Sequence, residues 1–333
     1  MPRIREVMLG LGLATGSVGV ASDSHVDKEM YATGPDSQGE NASDYILGQS
    51  TEYGKIDHHF FDRDLVLNDI EKRIIGDTGL LTPEERMERE KYAKEIREQW
   101  CNIVGKFAKQ FSVKHFSDSK KVLLKDFASI TADEANKDAI LSVVQKYATI
   151  TNIPVGILLE LIGVESRFDS FATSTAKPSA KGITQLRPLS AREAGLKVDD
   201  NIDERLDLEL SVYAGASQLR HYIDKCHGAK DLGLMVYNMG EGNFKDMICR
   251  TYSEIEHKLV KHKNKAGKIY HKFTFTEKGN EQFTNMVNAG RINVVDIFGK
   301  NRDNARYDLS YAFKMAAMSD LVRVVVNNEI TDK

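Results

Sequence analysis

Glu165 has the setting in this chain most suggestive of chemistry. It stands in Gly163-Val164-Glu165-Ser166-Arg167-Phe168, at the end of a stretch containing Val155, Ile157, Leu158, Leu159, Leu161, Ile162 and Val164. A helix that is apolar on most faces is a buried one. Burial penalises a carboxylate, and so does the negative end of a helix dipole, so both effects raise the pKa of Glu165. A carboxyl group still neutral near about pH 6–7 can hand its proton to a leaving oxygen. Leu158 and Leu161 share its helical face, whereas Glu160 lies well around the helix, so no carboxylate dyad is expected. From the helix alone a plainer role stays open, a salt bridge with Arg167.

Two further segments bear on that choice. The loop Ala180-Lys181-Gly182-Ile183-Thr184-Gln185-Leu186 combines a glycine that permits close backbone approach to a ligand with an amide that can bind sugar hydroxyls. The segment Leu234-Met235-Val236-Tyr237-Asn238-Met239-Gly240-Glu241-Gly242-Asn243 ends a helix in a phenol and an amide, then enters a glycine-rich turn. Tyr237 could hold the Glu165 carboxyl or a substrate. Singly each segment is weak, since Tyr-Asn before Gly is usually just a helix end.

Taken in order, Glu-Ser, then Gly-x-x-Gln, then Tyr-Asn-x-Gly-x-Gly-Asn resembles the soluble lytic transglycosylase (SLT) domain, a relative of goose-type lysozyme. Ile153-Pro154-Val155 before the helix, Pro188-x-Ser190-Ala191-x-Glu193-x-Gly195-Leu196 after the loop, and Tyr213-Ala214-Gly215-Ala216-x-x-Leu219 agree with it. The resemblance covers about residues 133–250. It implies a lysozyme-like fold and cleavage of peptidoglycan with Glu165 as the single acid/base. Glu165 would protonate the oxygen between N-acetylmuramic acid and N-acetylglucosamine. It would then deprotonate the muramyl C6 hydroxyl, which closes a 1,6-anhydro ring. Ser166, Gln185, Tyr237 and Asn238 match substrate-groove positions, and Gly182 matches the loop glycine. Ile183-Thr184, where the family commonly has Leu-Met, and Val236, where it commonly has Ala, are departures that bear on substrate preference.

Two alternatives come from other classes. A lysozyme-type muramidase needs a second carboxylate roughly 5–9.5 Å from the first, and Asp169 and Asp207 are the conceivable partners. A virion or secretion-machine component carrying a wall-cutting domain would explain the additions at both ends. No cofactor or metal is expected: the nine His are scattered, and His58-His59 is adjacent rather than at metal-ligand spacing.

Around these residues a mainly α fold is expected. Thr82-Pro83-Glu84-Glu85 starts a helix running to about residue 112, with cap, first-turn proline and acids at the positive dipole end. Its stripe Ile96, Trp100, Ile103, Val104, Phe107 reads as packing surface. Thr131-Ala132-Asp133-Glu134 starts another helix, which Asn152-Ile153-Pro154 breaks. Further helices are expected at 60–76, 188–195, 207–225, 229–238 and 303–326, the last with Tyr307, Tyr311, Met315, Met318 and Val322 at helical spacing. Such a helix fits docking onto an assembly and equally fits packing around the catalytic domain. Alternation of Ile269, His271, Phe273 and Phe275 after Asn264-Lys265-Ala266-Gly267 indicates a β-hairpin over 256–276. The lysines around it read as a solvated surface, or as a contact for acidic wall polymers or another protein.

The organisation expected is a polar arm over 1–54, a helical region over 55–130, the lysozyme-like domain over 131–250, and an extension over 251–333. Arg3 and Arg5 before a weakly apolar stretch make 1–21 signal-like, although Glu6 interrupts the pattern. The 333 residues are 41% hydrophobic and 29% charged with a formal net charge of −3, which predicts no strong pull toward nucleic acid. No stretch approaches a transmembrane span. The expected place of action is the bacterial cell wall or periplasm, reached by export or by delivery with a phage virion. Of the three cysteines, Cys226 and Cys249 could pair in an oxidising compartment, but free thiols are the more ordinary state.

Overall fold

The computed structural model describes residues 65–77, 79, 81–111, 134–263, 267–301 and 307–327. The expectations for residues 1–54, the cap at 131–133 and the hairpin turn at 264–266 lie outside these. Helices α1 (Leu65–Ile75), α2 (Pro83–Phe111), α3 (Glu134–Thr151) and α4 (Val155–Ser166) come first. They are followed by α5 (Pro188–Glu193), α6 (Leu208–Lys225), α7 (Lys230–Met239) and α8 (Glu241–Thr251). Strands β1 (His257–Lys263) and β2 (Ile269–Phe275) precede α9 (Glu277–Asn288), α10 (Val294–Lys300) and α11 (Tyr311–Asn327). The mainly α class with one small hairpin is as expected. The strands are antiparallel, with His257 opposite Phe275 and Lys263 opposite Ile269. Among the described residues no helix is long and apolar enough to cross a membrane.

Helix α2 begins as its sequence dictates. The Glu85 N–H donates to Thr82 Oγ1 at 3.2 Å, and the Thr82 N–H donates to Glu85 Oε2 at 2.9 Å. This reciprocal pair satisfies two backbone donors that the helix would otherwise leave open. Its apolar stripe is packing surface: Ile96, Trp100 and Val104 are buried, and the Trp100 ring lies 4.9 Å from that of Phe313 on α11.

Helix α4 is the centre of the core. Ile157, Leu158, Leu159, Leu161 and Ile162 are all buried, and α3 and α11 pack against it. Helix α11, which the sequence set apart in an extension, lies against α2, α4 and α7. Its Tyr311, Phe313, Met315, Met318 and Val322 are buried. The approach to α4 is close at Gly163, where a Cβ would stand 3.0 Å from Met318 Cγ. A buried ion pair ties the outer helices in: Arg73 on α1 donates to Asp231 Oδ1 on α7 at 2.5 Å, and the Val294 N–H on α10 donates to Oδ2 at 2.9 Å.

Helix α11 starts at Tyr311, so Tyr307, expected within it, lies outside, and three further helices depart from expectation. Gly240-Glu241-Gly242-Asn243 was expected as a glycine-rich turn, yet only Gly240 turns, at φ +78°, and α8 starts at Glu241. A single positive-φ residue suffices to change direction, and Glu241 suits the positive end of the new dipole. Helices α9 and α10 were not anticipated. Thr276 and Asn293 cap them, accepting from the N–H groups of Gly279 and Asp296 at 3.1 and 3.0 Å.

Candidate active site

Glu165 occupies the last turn of α4. The helix stops because Arg167 takes a left-handed conformation at φ +58°, its N–H donating to Gly163 O at 3.2 Å. Phe168 follows at φ +65° and is buried. A bulky side chain in this region is uncommon and costs backbone energy, a feature that clusters at functional sites. Two successive left-handed residues turn the chain sharply away from the helix that ends at Ser166.

The Glu165 side chain keeps some accessible surface, but protein atoms crowd its carboxyl. Burial pushes its pKa up from 4.5 to about 7, against the opposing pull of a hydrogen bond from Tyr311. The Tyr311 hydroxyl donates to Glu165 Oε1 at 2.5 Å across 146 residues of sequence. Arg167 is exposed, and among the described residues no cation pairs with Glu165. The salt bridge left open by the sequence is therefore not formed. No second carboxylate acts on Glu165 among the described residues. Asp169 and Asp207 have structural work instead, accepting from the N–H groups of Phe171 and Leu210 at 2.8 and 2.9 Å.

Tyr237 is the second phenol of the cluster. Its hydroxyl donates to Thr184 O at 2.8 Å, so it is Tyr311, not Tyr237, that holds the Glu165 carboxyl. Tyr237 nevertheless stands within electrostatic reach of Glu165: burial first, then the nearby carboxylate, hold its pKa well above the usual range. The same two influences act on Tyr311. The Tyr237 ring packs on a small core of Leu186, Ala191, Leu196, Val198 and Ala214 beneath the loop.

The loop is braced from inside. Gly182 sits at φ +79°, and a Cβ there would lie 1.7 Å from Arg205 O. The close approach anticipated at Gly182 is thus to the protein's own backbone. Arg205 is buried, pairs with Asp203 through two 2.7 Å contacts, and donates to Ser179 O and Leu186 O at 2.8 and 3.1 Å. Gln185, at φ +51°, directs its amide nitrogen to Ala172 O at 3.0 Å and Gly182 O at 2.8 Å. Both amide protons are then committed, so what Gln185 can offer a ligand is its carbonyl oxygen.

The remaining expected residues lie differently. The Ser166 hydroxyl is buried and donates back to Ile162 O at 3.2 Å. Asn238 is exposed, and its amide reaches Asp308 O at 3.4 Å, just before α11. The residue that sequence reasoning missed is Tyr311. Its helical spacing was visible, but nothing local says which helix it faces. Among the described residues no cluster of His, Cys, Asp and Glu could hold a metal ion. All three cysteines are free, and burial pushes the Cys249 thiol up to about 12.

Residues 142–260 match the family described as the transglycosylase SLT domain. Over 111 residues, 33% of this chain and 8% of the relative, the chain is 32% identical to peptidoglycan transglycosylase gp16 of Escherichia phage T7. Over 91 residues, 27% of this chain and 20% of the relative, it is 38% identical to membrane-bound lytic murein transglycosylase D of Escherichia coli strain K12. The matched part is thus a small fraction of each relative's length.

Proposed function

We propose that this chain, whose residues 142–260 match the transglycosylase SLT domain, is a peptidoglycan lytic transglycosylase with Glu165 as its one acid/base. The observation that carries this reading is a lone carboxyl group with its pKa at about 7, held by a phenol and served by no second carboxylate among the described residues. Asp169 and Asp207, the conceivable partners in a two-carboxylate hydrolase, accept from the N–H groups of Phe171 and Leu210, and neither perturbs the Glu165 carboxyl.

In the proposed reaction, neutral Glu165 gives its proton to the glycosidic oxygen as the bond from muramyl C1 breaks. The ring passes through an oxocarbenium-like state. The Tyr311 hydroxyl stabilises the carboxylate formed at this moment, since a hydrogen bond to the charged form favours it. The carboxylate then takes the proton of the muramyl C6 hydroxyl, and O6 bonds to C1. Glu165 ends protonated, water is not consumed, and the product is a 1,6-anhydromuramyl end. Gln185 and Tyr237 would line the groove, with the loop held by Arg205. Asn238, at its exposed position, would contact the glycan farther from the bond cleaved. The named relatives come from a phage and from a bacterium, and action within the bacterial cell wall is part of this proposal.

The test is mass spectrometry of purified peptidoglycan digested by the full chain. Muropeptides ending in 1,6-anhydromuramic acid are expected. Products one water heavier, with reducing ends, would replace the transglycosylase with a muramidase.

A further inference from the structure

The hairpin has a charge distribution unlike the rest of the chain. Residues 257–275 contain six Lys and three His with no Asp or Glu, in a protein whose net charge is −3. Its base is anchored. Lys272 Nζ donates to Asn243 Oδ1 at 2.7 Å, the Phe273 N–H donates to Asp246 Oδ1 at 2.8 Å, and Phe275 is buried. Beyond these contacts, Lys258, beside the base, and Lys261 and Lys263, toward the turn, are exposed and make no ion pair with an acidic side chain among the described residues.

Exposed apolar side chains accompany them: Leu259, opposite Phe273, and Ile269 and Tyr270, toward the turn, are 55%, 48% and 39% exposed. The register sets Ile269 opposite Lys263, and Tyr270 opposite His262, on whose ring it stacks at 5.3 Å. A soluble polyanion gives these three side chains nothing to bury against. An anionic bilayer does: aliphatic and phenolic bodies enter the interface while lysine stems carry their ammonium groups to the phosphate level. The cations are all lysine, whereas forked recognition of single phosphates would favour arginine.

We propose that the exposed part of this hairpin docks the protein on an anionic phospholipid bilayer surface, with Lys258, Lys261 and Lys263 supplying attraction and Leu259, Ile269 and Tyr270 shallow insertion. This proposal does not depend on the chemistry at Glu165.

The experiment is co-sedimentation of the full chain with vesicles of phosphatidylglycerol and phosphatidylcholine, against phosphatidylcholine alone. Binding to the first only, weakened by salt, is expected. Replacing Lys258, Lys261 and Lys263 together by Gln should lower partitioning about 100-fold. Replacing Ile269 and Tyr270 by Ser, with charge unchanged, should lower it about tenfold. Thermal melting, rather than wall cleavage, is the folding control, so failure of the transglycosylase reading leaves this test intact. Equal binding to both vesicle types, or undiminished binding by the lysine variant, overturns the proposal. So does an unaffected Ile269/Tyr270 variant whose binding is competed by duplex DNA, which would identify a site for soluble polyanions.

Discussion

Glu165→Gln should make this protein more stable in mild alkali while removing its activity. An unfolded glutamate titrates near 4.5, and Glu165 in the fold near 7. Below about pH 4.5 both states hold the proton and the group contributes no pH dependence. Between about 4.5 and 7 the unfolded chain ionises while the folded one keeps its proton, so stability falls as pH rises. At about 1.36 kcal/mol for each tenfold difference in proton affinity, the fall amounts to roughly 3 kcal/mol, less whatever solvent reaching Glu165 screens away. Gln does not ionise and can still accept from Tyr311, so the variant escapes that loss. Each ~1 kcal/mol is worth roughly 2–4 °C in Tm for a chain of about this size. Scanning calorimetry of both proteins at pH 4 and pH 8 reads the effect. The variant should melt several degrees higher than the wild type at pH 8 and at about the same temperature at pH 4. A Tm difference that is the same at both pH values would show that Glu165 is not held neutral by burial. In parallel, peptidoglycan cleavage should fall about 10²–10⁴-fold, the usual worth of a general acid–base group.

One pH response and three substitutions follow from the same geometry. Wild-type cleavage should decline as pH rises through about 7, where Glu165 loses its proton. Tyr311→Phe removes a hydrogen bond that favours the carboxylate, worth about 1.5–3 kcal/mol, so the alkaline midpoint should rise to roughly 8–9; a midpoint that stays put or falls in a pH–rate profile contradicts the role given to Tyr311. Gly182→Ala places a methyl 1.7 Å from Arg205 O at φ +79°. Urea titration should show a loss of more than about 2 kcal/mol, and a variant of wild-type stability would mean that the loop is not braced in this way. Trp100→Ala should cost about 3–5 kcal/mol and lower activity through α11; activity unchanged in a folded variant would uncouple α2 from the site.

Much of this was legible locally. The Thr82-Pro83-Glu84-Glu85 start, the break at Asn152-Ile153-Pro154 and the alternation in β2 each depend on near neighbours, and each formed where expected. Glu165 stood out because one carboxyl closing an apolar helix has few structural uses. What stayed hidden depends on partners remote in sequence. Two glycines around Glu241 speak for a turn, but Asp246 in α8 accepts from the Phe273 N–H and from Tyr307 Oη at 2.8 and 2.5 Å, contacts that reward a helix there. Of the helices not anticipated, α9 is mostly polar, and α10, though it holds Val294, Val295, Ile297 and Phe298, is seven residues long, too short to show a periodic stripe. Close backbone approach at Gly182 was a fair reading of its residue type, while the Arg205 carbonyl that makes the approach lies 23 residues on.

Tyr311 presses the same point into a prediction about where the working unit ends. The family match stops at residue 260, but the hydroxyl that holds Glu165 comes from α11, as do Phe313, Met315, Met318 and Val322, all buried. Each of these four apolar side chains is worth roughly 1.5–3 kcal/mol of burial. Deleting α11 therefore removes on the order of 6–12 kcal/mol, comparable to the whole stability of a typical domain, about 5–15 kcal/mol. It also uncovers the apolar faces of α4 and α2 that α11 covers. A chain ending at residue 300 should lack cooperative melting by circular dichroism and should not cleave peptidoglycan, although it retains every residue of the family match. Addition of Tyr311→Phe to the full chain separates the two losses, since that variant keeps the packing and gives up only the hydroxyl. If the shortened chain melts like the wild type and cleaves with an unshifted pH profile, then α11 is an appendage. In that case the pKa of Glu165 must be set within α4 alone.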